Sequence, residues 1–308
     1  MSCCRWLALM KRNDMNCRST CGRRRHCMYG GVLLVVIMEL AATMGRCQEP
    51  DKDDQAREAA RVESLREMND MIETLKVSTL KNGDKVEARQ LAKPLLRYQD
   101  QPRKILDATL WCFGREGRPA AFCKIEKIGV GKRNRWLYCF TSLSQLPIEA
   151  EWAEGKTFST TGPGVKFSDF VGAPIPAVEK PGRLRQAKEL VRRINVSLAD
   201  PDLAFKENLR LLTQPLHLYD DQSAGILDGA IFGFSTNGTC PDLLVFVEAQ
   251  KTKNAPAFWR IAVARMTNCE LHLRDQDREI WNAPFLRFAD RLGENLETWM
   301  FFWASESR

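Results

Sequence analysis

Apolar residues follow helical spacing in two stretches of the chain, and each stretch precedes a series of short apolar runs. The first helix is predicted over Asp51 to Leu75, with an apolar stripe of Val62, Leu65, Met68, Ile72 and Leu75. The second is predicted over Arg183 to Leu198, with a stripe of Leu184, Ala187, Val191, Ile194 and Leu198. Residues that recur every three to four positions lie on one face of a helix, so both stretches are predicted to be amphipathic helices.

Short runs rich in aromatic and aliphatic residues follow each predicted helix and are predicted to be strands. In the first series they are Leu106 to Phe113, Ala120 to Ile128, Arg135 to Leu143 and Pro147 to Trp152. In the second they are Leu227 to Ser235, Leu243 to Ala249, Phe258 to Met266 and Glu270 to Arg274. The connections are short, which favours an antiparallel meander over parallel units.

Many residues recur between the two series at one constant offset, which predicts a tandem duplication. The recurring residues are Pro94, Leu95, Tyr98, Asp100, Gln101, Ile105, Leu106, Asp107 and Phe113, matched by Pro215, Leu216, Tyr219, Asp221, Gln222, Ile226, Leu227, Asp228 and Phe234. After small slips Glu126 matches Glu248, Trp136 matches Trp259, Phe158 matches Trp281, and Lys166 to Asp169 matches Arg287 to Asp290. The predicted fold is therefore α+β, a tandem duplication in which each copy is an amphipathic helix packed on an antiparallel β-meander of about four to six strands.

The predicted repeats occupy residues 48–171 and 183–308. Residues 172–182 are rich in proline, which cannot continue a sheet ladder, and are predicted to form the linker between them. Thr298 to Trp303 has no counterpart in the first copy and is predicted to add a strand that joins the two sheets.

The first 47 residues have the order of a secretory signal, with a basic head, a short apolar run from Val32 and small residues near Gly45. The run contains Glu39 and is shorter than the roughly 20 residues needed to cross a bilayer. The chain is therefore predicted to be exported to the periplasm, the cell envelope or the medium. Three alternatives stay open: a membrane tether formed by residues 32–45, a twin-arginine signal at Arg24-Arg25, and a basic tail that targets nothing.

Charge is unevenly distributed along the chain. The formal net charge is +7, and most of the basic excess lies in the leader. The remainder is nearly neutral and has no basic stripe, so no nucleic-acid partner is predicted, and membrane contact is expected only through the leader. Gly129 to Lys132 is too short for a phosphate loop, and no serine stands in a Gly-x-Ser-x-Gly elbow, so no cofactor is predicted.

One polar set recurs with the repeats: Tyr98, Asp100, Asp107 and Glu126, matched by Tyr219, Asp221, Asp228 and Glu248. Paired carboxylates could perform acid–base chemistry if the copies faced each other across a cleft. A structural role is favoured, because a catalytic site is seldom needed twice. In that role the aspartates are expected to accept hydrogen bonds from turn amides, and the tyrosine hydroxyls to bond to the backbone. No catalytic residue is therefore assigned.

Four cysteines of the body could form disulfides in an exported protein. Cys123 with Cys139, and Cys240 with Cys269, bracket predicted hairpins and would lie roughly opposite each other; the open alternative is that they are ordinary small core residues. Beyond the leader the only histidines are His217 and His272, and neither has a second ligand at metal spacing. No metal site is predicted.

The segments Leu211 to Tyr219, Ile226 to Phe232 and Leu243 to Glu248 together resemble uncharacterised bacterial exported proteins with a duplicated module. Phe140 to Ser144 and Arg183 to Arg185 add to the resemblance, which spans roughly residues 90–290. It implies export and a shared architecture, and it carries no activity and no site residues.

The chain has a leader followed by two copies, and neither copy has a set of catalytic residues that the other lacks. This pattern favours a non-catalytic binding or structural module of the cell envelope, with an envelope protein or glycan as partner. The alternative hypothesis is a hydrolase that acts on an envelope polysaccharide or another polymer through Asp and Glu residues at the junction of the repeats. A cytosolic structural protein is the third hypothesis. An enzyme is thus the less favoured class.

Overall fold

The structure is a computed structural model that describes residues 52–304 except 115–116, 132, 154 and 254. It is 16% helical and 48% strand, so the fold is α+β or mainly β, and the prediction of antiparallel sheets is confirmed. The predicted leader, residues 1–47, lies outside the described residues. Within the part that is described, no helix is both long enough and apolar enough to cross a membrane.

Residues 52–171 are called the first half and residues 172–304 the second half. The first half contains α1 (Lys52–Glu73), β1 (Lys76–Lys81), β2 (Asp84–Glu87), β3 (Leu96–Asp100), β4 (Ile105–Phe113), β5 (Ala121–Val130), β6 (Arg133–Ser142), β7 (Ile148–Glu151), β8 (Thr157–Ser159) and β9 (Ser168–Asp169). The second half begins with α2 (Lys180–Arg192), β10 (Ile194–Asp200), a 3₁₀ turn (Pro201–Leu203), β11 (Phe205–Asn208), β12 (Arg210–Leu211), β13 (His217–Asp221) and β14 (Ile226–Ser235). It continues with β15 (Leu243–Gln250), β16 (Phe258–Arg265), β17 (Glu270–Asp275), β18 (Arg278–Ala283), α3 (Phe288–Arg291) and β19 (Trp299–Trp303).

The strands form two large and two small sheets. The small sheets have the orders β2-β1-β7-β8 and β11-β10-β17-β18. The large sheets have the orders β3-β4-β5-β6-β19 and β12-β14-β15-β16-β9, with β13 also paired to β14. The two small sheets therefore have the same strand order, and so do the central strands β3-β4-β5-β6 and β13-β14-β15-β16 of the large sheets.

The two large sheets face each other across a common core. Residues of both sheets, among them Tyr98, Leu110, Tyr219 and Phe246, belong to one buried cluster between them. The outer face of each large sheet is covered by the helix and small sheet of its own half, in clusters that contain Met68 of α1 and Leu190 of α2. Each sheet therefore has one face toward the other half and one toward its own helix.

The halves exchange their final strands. The edge of β6 is covered by β19, in a register that places Phe301 opposite Cys139. The edge of β16 is covered by β9, where Asp169 lies opposite Arg260. The prediction that the tail joins the two sheets is wrong, because β19 extends the sheet of the first half and leaves the large sheets separate.

Most predicted strands agree with the structure within two residues, as β15 shows by ending at Gln250 instead of Ala249. The second predicted helix is wrong beyond Arg192, where the chain turns and forms β10. Ile194, Val196 and Leu198 alternate with less buried residues in that strand. Ile194 and Leu198 also fit the helical stripe predicted from the sequence. The branched side chains of all three residues suit a pleated sheet, and the alternation of a strand describes this segment better than helical spacing does.

The register of the strands contradicts the predicted disulfides. The cysteines of the described residues, Cys112, Cys123, Cys139, Cys240 and Cys269, are all buried thiols. Cys123 lies opposite Phe140, so Cys139 is one position away and on the other face of the sheet. Cys240 and Cys269 belong to two different core clusters, one on each side of the second large sheet. Both pairs are separated by a layer of backbone, and the small-core-residue alternative describes all four.

Candidate functional site

The repeated tyrosines and glutamates lie between the two large sheets. The Tyr98 hydroxyl donates to Glu126 Oε1 at 2.8 Å, and the Tyr219 hydroxyl donates to Glu248 Oε1 at 2.5 Å. Burial raises the pKa of both tyrosines well above the ordinary value, so the hydroxyls stay protonated and act as donors. The expectation that these hydroxyls bond to the backbone is wrong, because each of them donates to a carboxylate two strands away in the same sheet.

The charge of Glu248 is balanced by an arginine of the first half. Arg118 donates to it from Nε at 2.6 Å and from Nη2 at 2.8 Å, which is the bidentate arrangement. The guanidinium also lies 4.4 Å from the centre of the Phe167 ring and donates from Nη1 to Gln145. The loop between β4 and β5 thus supplies a counter-charge to the opposite half.

The environment of Glu126 follows the same plan with different residues. Cys240, from the loop between β14 and β15, reaches Glu126 Oε1 with its thiol at 3.6 Å. The positive charge comes from Lys124, whose Nζ is 4.0 Å from Glu126 Oε1 and donates to the Met266 carbonyl at 3.0 Å. Burial raises the pKa of Cys240 to about 11, although Arg103 and Lys124 oppose the rise, so this cysteine is a neutral thiol at neutral pH.

Two of the repeated aspartates are the last residues of β3 and β13, directly before the turns that lead to β4 and β14. Asp100 accepts from Arg103 Nε at 2.5 Å, and the same guanidinium donates from Nη1 to Asp242 of the second half at 2.6 Å. Asp221 accepts from the Ser223 hydroxyl at 2.6 Å and from the Ala224 amide at 3.1 Å. These hydrogen bonds lower the pKa of Asp221, with the Ser223 bond the largest cause.

The other two repeated aspartates lie on the outer faces of the large sheets and tie them to the helices. Asp107 accepts from Arg97 Nε at 3.0 Å and Nη2 at 2.6 Å, while Arg97 also donates to the Arg61 carbonyl of α1. Asp228 accepts from Arg183 of α2 at 2.5 Å and lies 3.5 Å from Lys180 Nζ. Every carboxylate of the repeated set therefore already has a hydroxyl, amide or cationic partner.

The two histidines have separate surroundings. His217 stacks on Tyr219 with ring centres 6.1 Å apart, and burial lowers its pKa. His272 lies between Glu270 at 2.7 Å and Glu279 at 2.8 Å, and the Glu270 hydrogen bond is the largest cause of its raised pKa. Among the described residues no group of three or more His, Cys, Asp or Glu side chains is arranged to hold a metal ion.

A pocket of about 210 Å³ lies beneath the first turns of α2, on the outer face of the second large sheet. Its apolar lining, called here the α2 pocket, consists of Leu184, Ala187, Leu218, Ala230, Val247 and Trp259. Lys180, Arg183 and Asp228 stand at its charged margin. The pocket thus combines an apolar interior with a few polar groups at one end, which is the usual make-up of a small-molecule site.

Sequence reasoning identified Asp228 but missed the α2 pocket and the cations that balance the buried carboxylates. Arg118 is separated by 130 residues from the glutamate it pairs with, so no local pattern joins them. A usable signal existed in the residues that recur at one constant offset in the sequence. At that offset Arg97 corresponds to Leu218, and a shorter side chain in place of a long charged one leaves space.

Comparison with known proteins gives no relative: no protein-family model, no curated protein and no solved structure matches the chain.

Proposed function

We propose that the chain is a non-catalytic binding module that holds a small ligand in the α2 pocket. The observation that carries this proposal is the pocket itself, a largely apolar space of about 210 Å³ whose three charged lining residues, Lys180, Arg183 and Asp228, contact one another. We also propose that the chain is a tandem duplication with repeats at 48–171 and 183–308, which is supported by the shared strand order of the two small sheets.

The state of the repeated carboxylates favours binding over catalysis. A glycosidase needs one carboxylic acid and one carboxylate that both face the substrate. Glu126 and Glu248 are instead 3% and 0% exposed and are engaged with Tyr98 and Tyr219. The hydrolase hypothesis therefore has no support from the junction of the repeats.

The proposal also includes the cellular location of the chain. The leader within residues 1–47 is proposed to export the chain to the cell envelope, where the body would act as a binding or structural module. Peptide sequencing of the chain purified from an envelope fraction tests this step, and an intact Met1 on chain recovered from the cytosol would contradict it.

Ligand binding is tested with a neutral apolar probe, 1-hexanol, titrated into the full chain while the tryptophan indole N–H resonances are followed. We expect a saturable shift of the Trp259 resonance, which is assigned with the Trp259→Phe variant. The Leu218→Arg variant installs the residue that the first half has at this place and should abolish the shift. The matched control is Val86→Arg, an exposed apolar residue of the first half, which should leave the shift unchanged. Absence of any saturable shift would refute the proposed function.

A further inference from the structure

One edge of the second large sheet is open along β13. This strand pairs with β14 on one side, and none of the described strands pairs with it on the other side. An open edge presents backbone N–H and C=O groups to which another extended chain can bind.

Hydrogen bonding within the sheet shows which of these groups face outward. Gly233 of β14 accepts from the Leu212 amide, so its backbone groups face the β13 side of the sheet. Backbone groups alternate along a strand, so those of Gly229, four residues earlier, face the same side. Gly229 lies opposite Tyr219, which therefore directs its own groups toward β14. The N–H and C=O of Leu218, one residue earlier, consequently face away from the sheet.

The same alternation turns the backbone groups of Asp220 outward. Among the residues that the structure describes, none forms a hydrogen bond with the outward groups of Leu218 or Asp220. Leu218 is 48% exposed and the Asp220 side chain is 51% exposed, so solvent reaches this stretch. Gly117 of the first half packs against the Asp221 side chain and ends the open stretch there.

The α2 pocket opens beside this edge. Leu218 lines the pocket and is partly exposed, so it lies at the mouth. Two solvent-exposed contacts from α2 border the mouth. Lys180 Nζ lies 2.9 Å from Asp220 Oδ2, and Lys188 Nζ lies 2.9 Å from Gln214 Oε1. The mouth therefore runs along β13, between the strand edge and the helix.

The first half has an edge strand without a pocket beside it. Its edge strand is β3, where Arg97 corresponds to Leu218. The row next to these residues is Asp107, Lys127, Trp136 in the first half and Asp228, Ala249, Trp259 in the second. Arg97 bonds to the aspartate of this row and to the Arg61 carbonyl, and Lys127 lies 4.9 Å from the centre of the tryptophan ring. These two long side chains fill the space that is the α2 pocket in the second half.

An extended peptide complements both the edge and the pocket. If a peptide is added antiparallel to β13, its residue opposite Leu218 exchanges two hydrogen bonds with the outward N–H and C=O. The side chain of that residue lies on the same face as Leu218, about 5 Å away, and thus at the pocket mouth. Backbone pairing together with a side-chain pocket is the basis of peptide recognition by strand addition. A small molecule would use the pocket alone and leave the edge groups in water.

We propose that β13 and the α2 pocket together bind an extended peptide segment of a partner protein, which adds as an antiparallel strand and places one apolar side chain in the pocket. This inference rests on the proposed function, since it uses the same pocket and adds the edge of β13. An apolar cavity of about 150 Å³ holds one benzene molecule, so the observed 210 Å³ accommodates a side chain of the size of leucine or phenylalanine.

The test adds the peptide acetyl-Glu-Thr-Thr-Thr-Leu-Thr-Thr-Thr-Lys-amide to the full chain in the presence of 1-hexanol. We expect the peptide to compete with 1-hexanol for the shift of the Trp259 indole resonance. Hydrogen exchange of the Leu218 amide should slow about tenfold at roughly 90% saturation with peptide, since only the free fraction exchanges.

Two matched peptides separate the contributions of the side chain and the backbone. One has aspartate in place of the central leucine and loses the apolar contact. The other has N-methylleucine, which keeps the side chain but cannot donate a hydrogen bond to β13. Each should bind about tenfold or more weakly than the parent peptide.

A pair of variants tests the edge in the protein itself. Asp220→Pro removes an outward N–H that has no role in the sheet, while Asp220→Ala removes the same carboxylate and keeps that N–H. We expect both variants to bind 1-hexanol as the unmodified chain does. Peptide binding should weaken about tenfold in Asp220→Pro relative to Asp220→Ala.

The outcomes separate this inference from the proposed function. Three results would overturn strand addition and leave the binding function standing: a parent peptide that does not compete with 1-hexanol, an N-methylleucine peptide that binds as well as the parent, or equal peptide binding by the two variants. Absence of any saturable shift with 1-hexanol would overturn both proposals.

Discussion

The pairing of Arg118 with Glu248 offers the sharpest test of how the halves are held together. We consider the Arg118→Met variant, which keeps most of the side-chain length and removes the charge. Among the residues that the structure describes, the Tyr219 hydroxyl would then be the one remaining hydrogen-bond partner of the Glu248 side chain. No other cation of the described ion pairs lies within salt-bridge distance of this glutamate.

The expected loss follows from the burial of the two partners. Removing one member of a buried ion pair costs about 3–5 kcal/mol, since the remaining charge is neither hydrated nor paired. The Glu248 side chain is 0% exposed and the Arg118 side chain is 15% exposed. Water can reach the arginine side of the pair, so we expect the lower end, about 3 kcal/mol.

Urea unfolding followed by tryptophan fluorescence measures the loss, because urea does not screen charges as a guanidinium salt would. The control is the Arg118→Met/Glu248→Gln double variant, in which the amide oxygen still accepts from Tyr219 and no charge is buried. It should cost about 1 kcal/mol, less than the single change. A loss below about 1 kcal/mol for Arg118→Met, or a double variant that is no more stable than Arg118→Met, would refute the burial of this pair.

Three further outcomes can be checked by the same unfolding assay. Asp228→Ala should cost about 1–3 kcal/mol, because a partly buried, hydrogen-bonded carboxylate is lost. Its control is Asp220→Ala, which removes an exposed carboxylate and should change stability by no more than about 0.5 kcal/mol. Equal losses would contradict a structural role for Asp228. Lys124→Met should cost about 3 kcal/mol and should be rescued in part by Glu126→Gln, and an unrescued double variant would show that the two charges do not interact. His272→Gln should destabilise the protein at about pH 5.5 and should have little effect at about pH 9. Folding raises the pKa of His272 from 6.5, so its contribution to stability is complete below about pH 6.5. That contribution is lost as the pH rises through the pKa of the folded state.

The strands were predictable because their cause is local. Val245 and Val247 alternate with Leu244 and Phe246 toward two different cores, and such a run is apolar on both faces. The end of α2 was not predictable in the same way, since Ile194 and Leu198 satisfy both a helical and a strand spacing. Pairing with β17 decides between the two, and β17 lies far along the chain.

The sequence identified the recurring polar residues as a group, but it did not identify the residues with which they form hydrogen bonds and ion pairs. Recurrence at one offset identified Tyr98 and Tyr219 without any structural knowledge. Their acceptors and the balancing cations come from strands and loops that only the packing of the large sheets brings together. The disulfide expectation failed for a related reason: a difference of one residue in strand register moves a side chain to the opposite face.

The place of the α2 pocket follows from which face of each sheet is free to change. The inner faces pack against each other, so a change at Glu126 or Glu248 alters a cluster shared by both halves and requires a matching change across it. The outer face packs mainly against the helix and small sheet of its own half, although Phe170 and Phe302 of the opposite halves also contribute to these clusters. A change such as arginine at residue 97 to leucine at residue 218 therefore needs no matching change on the facing large sheet. On the proposed duplication, the residues that recur are therefore expected to maintain the fold. A binding function is expected where the two halves differ, and at the row of Asp228 and Trp259 they differ by the loss of the side chains that would fill the space.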